Sequence, residues 1–227
     1  MSASPSADSG QPHSSGFSLL LMRWQSMLWS SAGPGAFALA AHLGGRFEPG
    51  YRGRDEPISA LAAKGASAAP VMIPGFLALS ASSYGLGREL RGTRVAPRPI
   101  PELLTLAAIT TAGAGLFRCS DRTCPTRFLG DHNVTLSDDL HAGFSGVSFA
   151  LWTAIPAVAA LRAVAAGPHY RMRCVQLASV TLAAFLGGGL LARAPSRHWS
   201  GAAQRVMLAS ALSWYPLAAL TTCTESG

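Results

Sequence analysis

The chain has 227 residues, of which 49% are hydrophobic and only 13% charged, and its mean hydropathy is +0.27. A soluble domain averages about 25% charged residues, so the composition points to a membrane protein. The net charge of +7 is scattered between apolar runs, with no basic face and no RNA-binding aromatic motif, which excludes a nucleic-acid partner.

Met1–Gly16 is rich in Ser, Pro, Gly and Asp and has no apolar run. It cannot bury enough surface to fold, so it is expected to form a disordered cytoplasmic tail. It also lacks the basic start of a signal peptide, so the first helix is expected to remain as an anchor. Residues 17–222 then form one transmembrane domain, and 223–227 a short C-terminal tail.

A helix that spans the hydrocarbon needs about 20 residues. Six segments qualify: Leu19–Leu43, Ala66–Leu86, Ile100–Phe117, Leu140–Leu161, Val175–Ala192 and Ala202–Leu220. The expected fold is therefore all-α, an integral membrane bundle of six transmembrane helices. Its two longer connections, Gly44–Gly65 and Arg118–Asp139, fall on one face. Gly33-Pro34-Gly35 predicts a kink in the first helix, and Gly187-Gly188-Gly189 lets the fifth approach a neighbour closely.

Orientation is less sharply written. The side holding both termini carries eight cations and the opposite side ten, and the positive-inside rule counts cations and largely ignores acids. Against that raw count, the compact loops Arg88–Arg98 and Arg162–Arg173 are densely basic, and the Cys119/Cys124 pair suits an oxidising compartment. Both termini are expected in the cytoplasm.

The polar residues cluster between the third and fourth segments, in Arg118-Cys119-Ser120-Asp121-Arg122-Thr123-Cys124-Pro125 and Asp138-Asp139-Leu140-His141. Lipid offers such groups no hydrogen-bond partners, so they belong to a loop or the mouth of a cavity. Cys119 and Cys124 are close enough to form a disulfide staple. A zinc site from Cys119, Cys124, His132 and His141 lacks the usual spacing between paired ligands, so no metal site is expected. Asp138 and Asp139 suit a helix amino terminus. His141, one turn into a membrane helix, is a candidate for an interior site. In the first long loop, Arg54, Asp55 and Ser59 precede enough apolar residues for the loop to dip onto the bundle. Gln204 and Arg205 open the sixth segment. Arg205 cannot discharge, so it is expected to snorkel to the rim or to pair with Asp55, Asp121 or Asp139.

Three stretches resemble an uncharacterised bacterial and archaeal family of six-helix membrane proteins, distantly grouped with the Frag1/DRAM/Sfk1 proteins. They are Asp55-Glu56-Pro57-Ile58-Ser59-Ala60-Leu61; Leu116-Phe117-Arg118-Cys119 through Cys124-Pro125 with His141-Ala142-Gly143; and Gly201-Ala202-Ala203-Gln204-Arg205 with Trp214. The resemblance covers nearly all of the chain after Gly16. It implies a six-helix bundle with the Asp, His and Arg positions gathered near the extracytoplasmic face, and it carries no reaction.

The chain has no P-loop, no G-x-S-x-G and no H-E-x-x-H, and its histidines do not fall near both faces as a di-haem carrier needs. No cofactor is expected. Three functions compete. In the first, the protein binds or moves a membrane lipid or other hydrophobic small molecule, with Arg54, Ser59, Asp121, Gln204 and Arg205 as binding residues. In the second, it is a membrane-embedded acid/base enzyme, for example a cyclase or lipid-modifying enzyme, acting on an isoprenoid, lipid or polyketide-like substrate through Asp55, Asp139 and His141. In the third, it is a small structural subunit with a membrane-protein partner.

Overall fold

In the computed structural model, which describes residues 15–91, 98–125, 127, 131–166, 168–192 and 199–224, the chain is all-α. The helices are α1 (Ser15–Phe47), α2 (Ala69–Leu90), α3 (Ile100–Leu116), α4 (Leu136–Ala166), α5 (Pro168–Ala192) and α6 (Ser200–Thr224). A short 3₁₀ turn, η1 (Ile58–Ala62), interrupts the first long loop. The tail expected over Met1–Gly16 lies outside the described residues except at Ser15 and Gly16. Each helix packs against the next, and α6 closes the ring against α1.

The six expected segments correspond to the six helices. The largest shift in a starting point is at α5, which begins at Pro168 and not at Val175, and α4 begins at Leu136 and not at Leu140. A capping box sets that start. Thr135 Oγ1 accepts from the Asp138 backbone N–H at 3.3 Å, while Asp138 Oδ2 accepts from the Thr135 backbone N–H at 2.8 Å. These reciprocal bonds satisfy donors that a helix start leaves open. Among the described residues, two helices, α2 and α4 over Leu136–Arg162, are long and apolar enough to cross a membrane; the apolar stretches of α3 and α5 are shorter.

The main core, of Met72, Leu79, Leu86, Leu104, Ile155 and Tyr215 among others, runs through the ring, and a smaller cluster of Ala63, Ala66, Ala69 and Cys119 lies beside it. Small residues let the helices approach. A Cβ on Gly188 would lie 2.8 Å from Met207 Cβ, so α5 and α6 meet backbone to side chain there. The Gly33-Pro34-Gly35 stretch has a packing role. The Gly33 backbone N–H donates to Ser82 Oγ at 3.1 Å, and the Ser82 hydroxyl donates to the Trp29 carbonyl. A hydroxyl from α2 is thus inserted into the α1 ladder, one of the recognised causes of helix bending.

This contact generates a paired prediction. A methyl on Gly33 would sit 2.3 Å from Ser82 Cβ and 2.5 Å from the Ala78 carbonyl, whereas one on Gly35 meets nothing within 4 Å. Gly33→Ala should therefore destabilise the bundle by about 1–3 kcal/mol through overpacking. Gly35→Ala should stabilise it by roughly 0.5–1 kcal/mol, because glycine is a poor helix former. Thermal unfolding of the two variants in neutral detergent checks the contrast, and equal effects would contradict it.

Candidate functional site

The α1–α2 and α3–α4 connections meet the start of α6 on one face of the ring and form a polar rim. Arg118 holds the α1–α2 loop to the α3–α4 loop: its guanidinium donates to the Ala62 carbonyl at 2.8 Å and the Ala63 carbonyl at 2.7 Å. The Lys64 backbone N–H donates to the Cys119 carbonyl at 2.9 Å. Arg122 lies between two acids of the first loop, 2.7 Å from Glu56 Oε2 and 3.7 Å from Glu48 Oε1. The result is that η1 lies flat on the bundle with Ile58, Ala60, Leu61 and Ala62 buried. The dip that the apolar residues of this loop allow is therefore present.

Arg205 anchors the same loop to α6. It donates to the carbonyls of Gly53, Gly201 (3.0 Å) and Glu56 (3.4 Å), and to the Tyr51 hydroxyl at 2.6 Å. The expected ion pair with Asp55, Asp121 or Asp139 is not what the structure shows. The loop brings several carbonyl oxygens to the α6 amino terminus, and these satisfy the fork in place of a carboxylate. Asp55 instead pairs with Arg54 at 3.0 Å, Asp139 pairs with Arg127 at 3.3 Å, and Asp121 accepts from Thr123 within its own turn. The Tyr51 hydroxyl donates toward the Glu56 and Pro57 carbonyls, at 3.2 and 3.1 Å. Burial raises its pKa above the ordinary tyrosine value, even though Arg205 pulls the other way, so it remains a neutral donor.

Below the rim, Cys119 and Cys124 form a disulfide, with their Cα atoms 5.0 Å apart. The Ser59 hydroxyl lies 3.5 Å from Cys124 Sγ. The side chains of Cys174 and Cys223, expected to be free thiols, lie outside the described residues. His141 is buried beside the disulfide, and ligand atoms of Cys119, Cys124 and His141 all lie within 4.8 Å of one another. His132 does not belong to that group. Disulfide sulfurs offer no thiolate, so in this oxidation state the three residues are a poor metal site. His141 Nδ1 is 2.9 Å from both the Ala114 and Phe117 carbonyls. Both can only accept, so the neutral ring carries its proton on Nδ1. Nε2 is then an acceptor, and it faces the Ser145 hydroxyl at 3.3 Å.

Ser145 also lines a cavity. About 360 Å³ of unoccupied space, the solvent at its open mouth included, lies between α1, α2, α3, α4 and α6 and beneath η1. Phe37, Phe76, Phe149, Trp152 and Leu208 supply apolar wall, and Ser59, Thr111, Ser145, Ser148 and Gln204 supply polar groups. Of the expected site residues, Ser59 and Gln204 reach this cavity directly and His141 reaches it through Ser145. Arg54, Asp55, Asp121, Asp139 and Arg205 remain in the rim. Glu48, Tyr51 and the cavity residues Thr111, Ser148 and Trp152 were missed by sequence reasoning. Only Glu48, a lone acid at the end of an apolar segment, left a signal that could have been read.

The chain belongs to the family described as Protein of unknown function (DUF998), whose model matches residues 31–221. The three stretches that carried the resemblance are those that meet at the rim. The match does not extend to the Frag1/DRAM/Sfk1 proteins. No curated protein and no solved structure matches the chain.

The rim geometry separates charge from shape. Arg205→Ala should cost about 2–4 kcal/mol, since it removes several charge-assisted hydrogen bonds from a part-buried network. Arg205→Lys should recover less than half of that loss, because one ammonium cannot reach the Gly53 and Gly201 carbonyls and Tyr51 together. Thermal unfolding of both variants measures this, and full rescue by Lys would show that charge alone matters.

Proposed function

We propose that the protein is a multi-pass membrane protein that binds or moves a hydrophobic small molecule held in the cavity beneath the rim. Support for the membrane setting comes from α2 and α4 and from large apolar side chains exposed on every helix. Examples are Leu39, Leu77, Ile109, Leu161, Val180 and Val206. An exposed apolar belt of this kind marks a membrane or partner surface. In the same reading both termini are cytoplasmic and the rim is extracytoplasmic, where a disulfide persists.

The observation that carries the binding reading is the cavity itself. It is concave and mostly apolar, has a few convergent polar groups, and lies between helices, as ligand sites in bundles do. A second reading, the acid/base enzyme, has one observation in its favour: the unprotonated His141 Nε2 faces a cavity hydroxyl. Asp55 and Asp139, its proposed partners, are paired outside the cavity.

Filling the cavity tests the binding reading. Organic extraction of the purified wild-type protein should release a hydrophobic molecule in near-stoichiometric amount. Leu208→Trp and Ala114→Leu, two changes at lining positions, should each lower that amount by about tenfold, the effect of about 1.4 kcal/mol. Circular dichroism melts would show which variant remains folded. A folded variant that retains the full amount of the molecule would overturn the reading. If His141→Gln changes the chemical structure of the retained molecule and not its amount, the enzyme reading gains over simple binding.

A further inference from the structure

We infer that the molecule held in the cavity is uncharged and presents an acceptor oxygen, of the ketone, ester or quinone type; this rests on the reading that the cavity binds a hydrophobic ligand. Two observations point to it. The first is the charge of the wall. No Asp, Glu, Lys, Arg or His is among the lining residues described. A carboxylate, phosphate or ammonium placed there would lose its water with no counter-ion to replace it.

The second is the inventory of unused protons. Thr105, Thr110 and Thr153 all return their hydroxyls to the carbonyl four residues earlier in their own helices. Thr111 does not. Its side chain lines the cavity, is 1% exposed, and its Oγ1 has no hydrogen-bond partner. Trp152, 4% exposed, also lines the cavity. Its Nε1 faces the buried Tyr215 hydroxyl, which is not part of the cavity wall, so the indole contributes its ring to the wall and not its N–H. Gln204 spends its oxygen on the Ile58 backbone N–H at 2.6 Å, which leaves its NH₂ group to donate. The Ser148 and Ser145 protons, by contrast, are directed to Thr110 Oγ1 and His141 Nε2. An amide NH₂ group only donates, and a threonine hydroxyl can do so. The unspent groups therefore complement an acceptor oxygen, while the rings of Phe37, Phe76 and Phe149 complement a flat or acyl body.

Three matched probes test the inference on the full-length protein in neutral detergent, by titration calorimetry. They are 2-acetylnaphthalene, its hydrocarbon counterpart 2-ethylnaphthalene, and 2-naphthoate. The ketone should bind at least about tenfold more tightly than the hydrocarbon, and the naphthoate should show no binding. Thr111→Val should abolish the advantage of the ketone over the hydrocarbon. It should also raise the Tm of the ligand-free protein, since it removes an unpaired buried hydroxyl, which shows that the variant is folded. Equal affinity for ketone and hydrocarbon would overturn the inference and leave the hydrophobic-ligand reading standing. Tighter binding of the naphthoate would overturn it in favour of a charged ligand. Failure of all three to bind would also overturn it. The broader reading would survive that failure only if wild-type protein still yields an extracted molecule that the Leu208→Trp protein lacks.

Discussion

Two guanidinium groups bound to backbone carbonyls hold this structure together at its polar end. A part-buried arginine is costly unless its N–H groups are paired, and a carboxylate partner brings a second desolvation cost with it. Arg118 and Arg205 use carbonyls, which are already present and carry no net charge. Arg118 holds Ala62 and Ala63 at one end of the first loop, and Arg205 holds Gly53 and Glu56 at the other. The loop between them has little freedom left, and η1 becomes a fixed roof over the helix ends.

The roof in turn depends on close backbone approach. Gly201 lies where a Cβ would be 2.2 Å from the Glu56 carbonyl and 2.6 Å from that of Gly53, so no side chain fits there. The α6 amino terminus meets the loop directly, and the Ala202 backbone N–H donates to the Arg54 carbonyl at 2.8 Å. One of the donors left open at a helix start is thereby satisfied by the roof itself. Helix capping, loop placement and the arginine fork are one construction, so disturbing any of them disturbs the ceiling of the cavity.

The fold was legible because apolar length is a coarse and robust signal. Runs such as Ile100–Phe117 are long and lack charges, and the α3 helix ends within one residue of its expected limit. The start of α4 was missed because it depends on the Thr135–Asp138 capping box, which lies in a polar stretch with no apolar periodicity to mark it. At the site, Ser59, Gln204 and His141 were legible as polar residues beside or within apolar segments. Thr111 and Ser148 were not. A hydroxyl in a membrane helix usually bonds to its own backbone, and nothing in the sequence separates Thr111, which does not, from Thr110, which does. Arg205 was placed correctly at the rim but given the wrong kind of partner. Sequence shows the nearby carboxylates, whereas converging carbonyls exist only after the loop has folded.

The cavity follows from the same division of labour. The rim absorbs the charge: Arg122 pairs with Glu48 and Glu56, Asp55 with Arg54, and Asp139 with Arg127. What remains below is wall from five helices whose polar groups are hydroxyls, an amide and an indole. Most of those groups are satisfied locally, and Thr111 Oγ1, which is not, belongs to the cavity wall. Unpaired buried donors weaken a ligand-free fold, and an apolar filler would have removed that cost. The neutral ligand we infer would supply the acceptor that such a donor lacks.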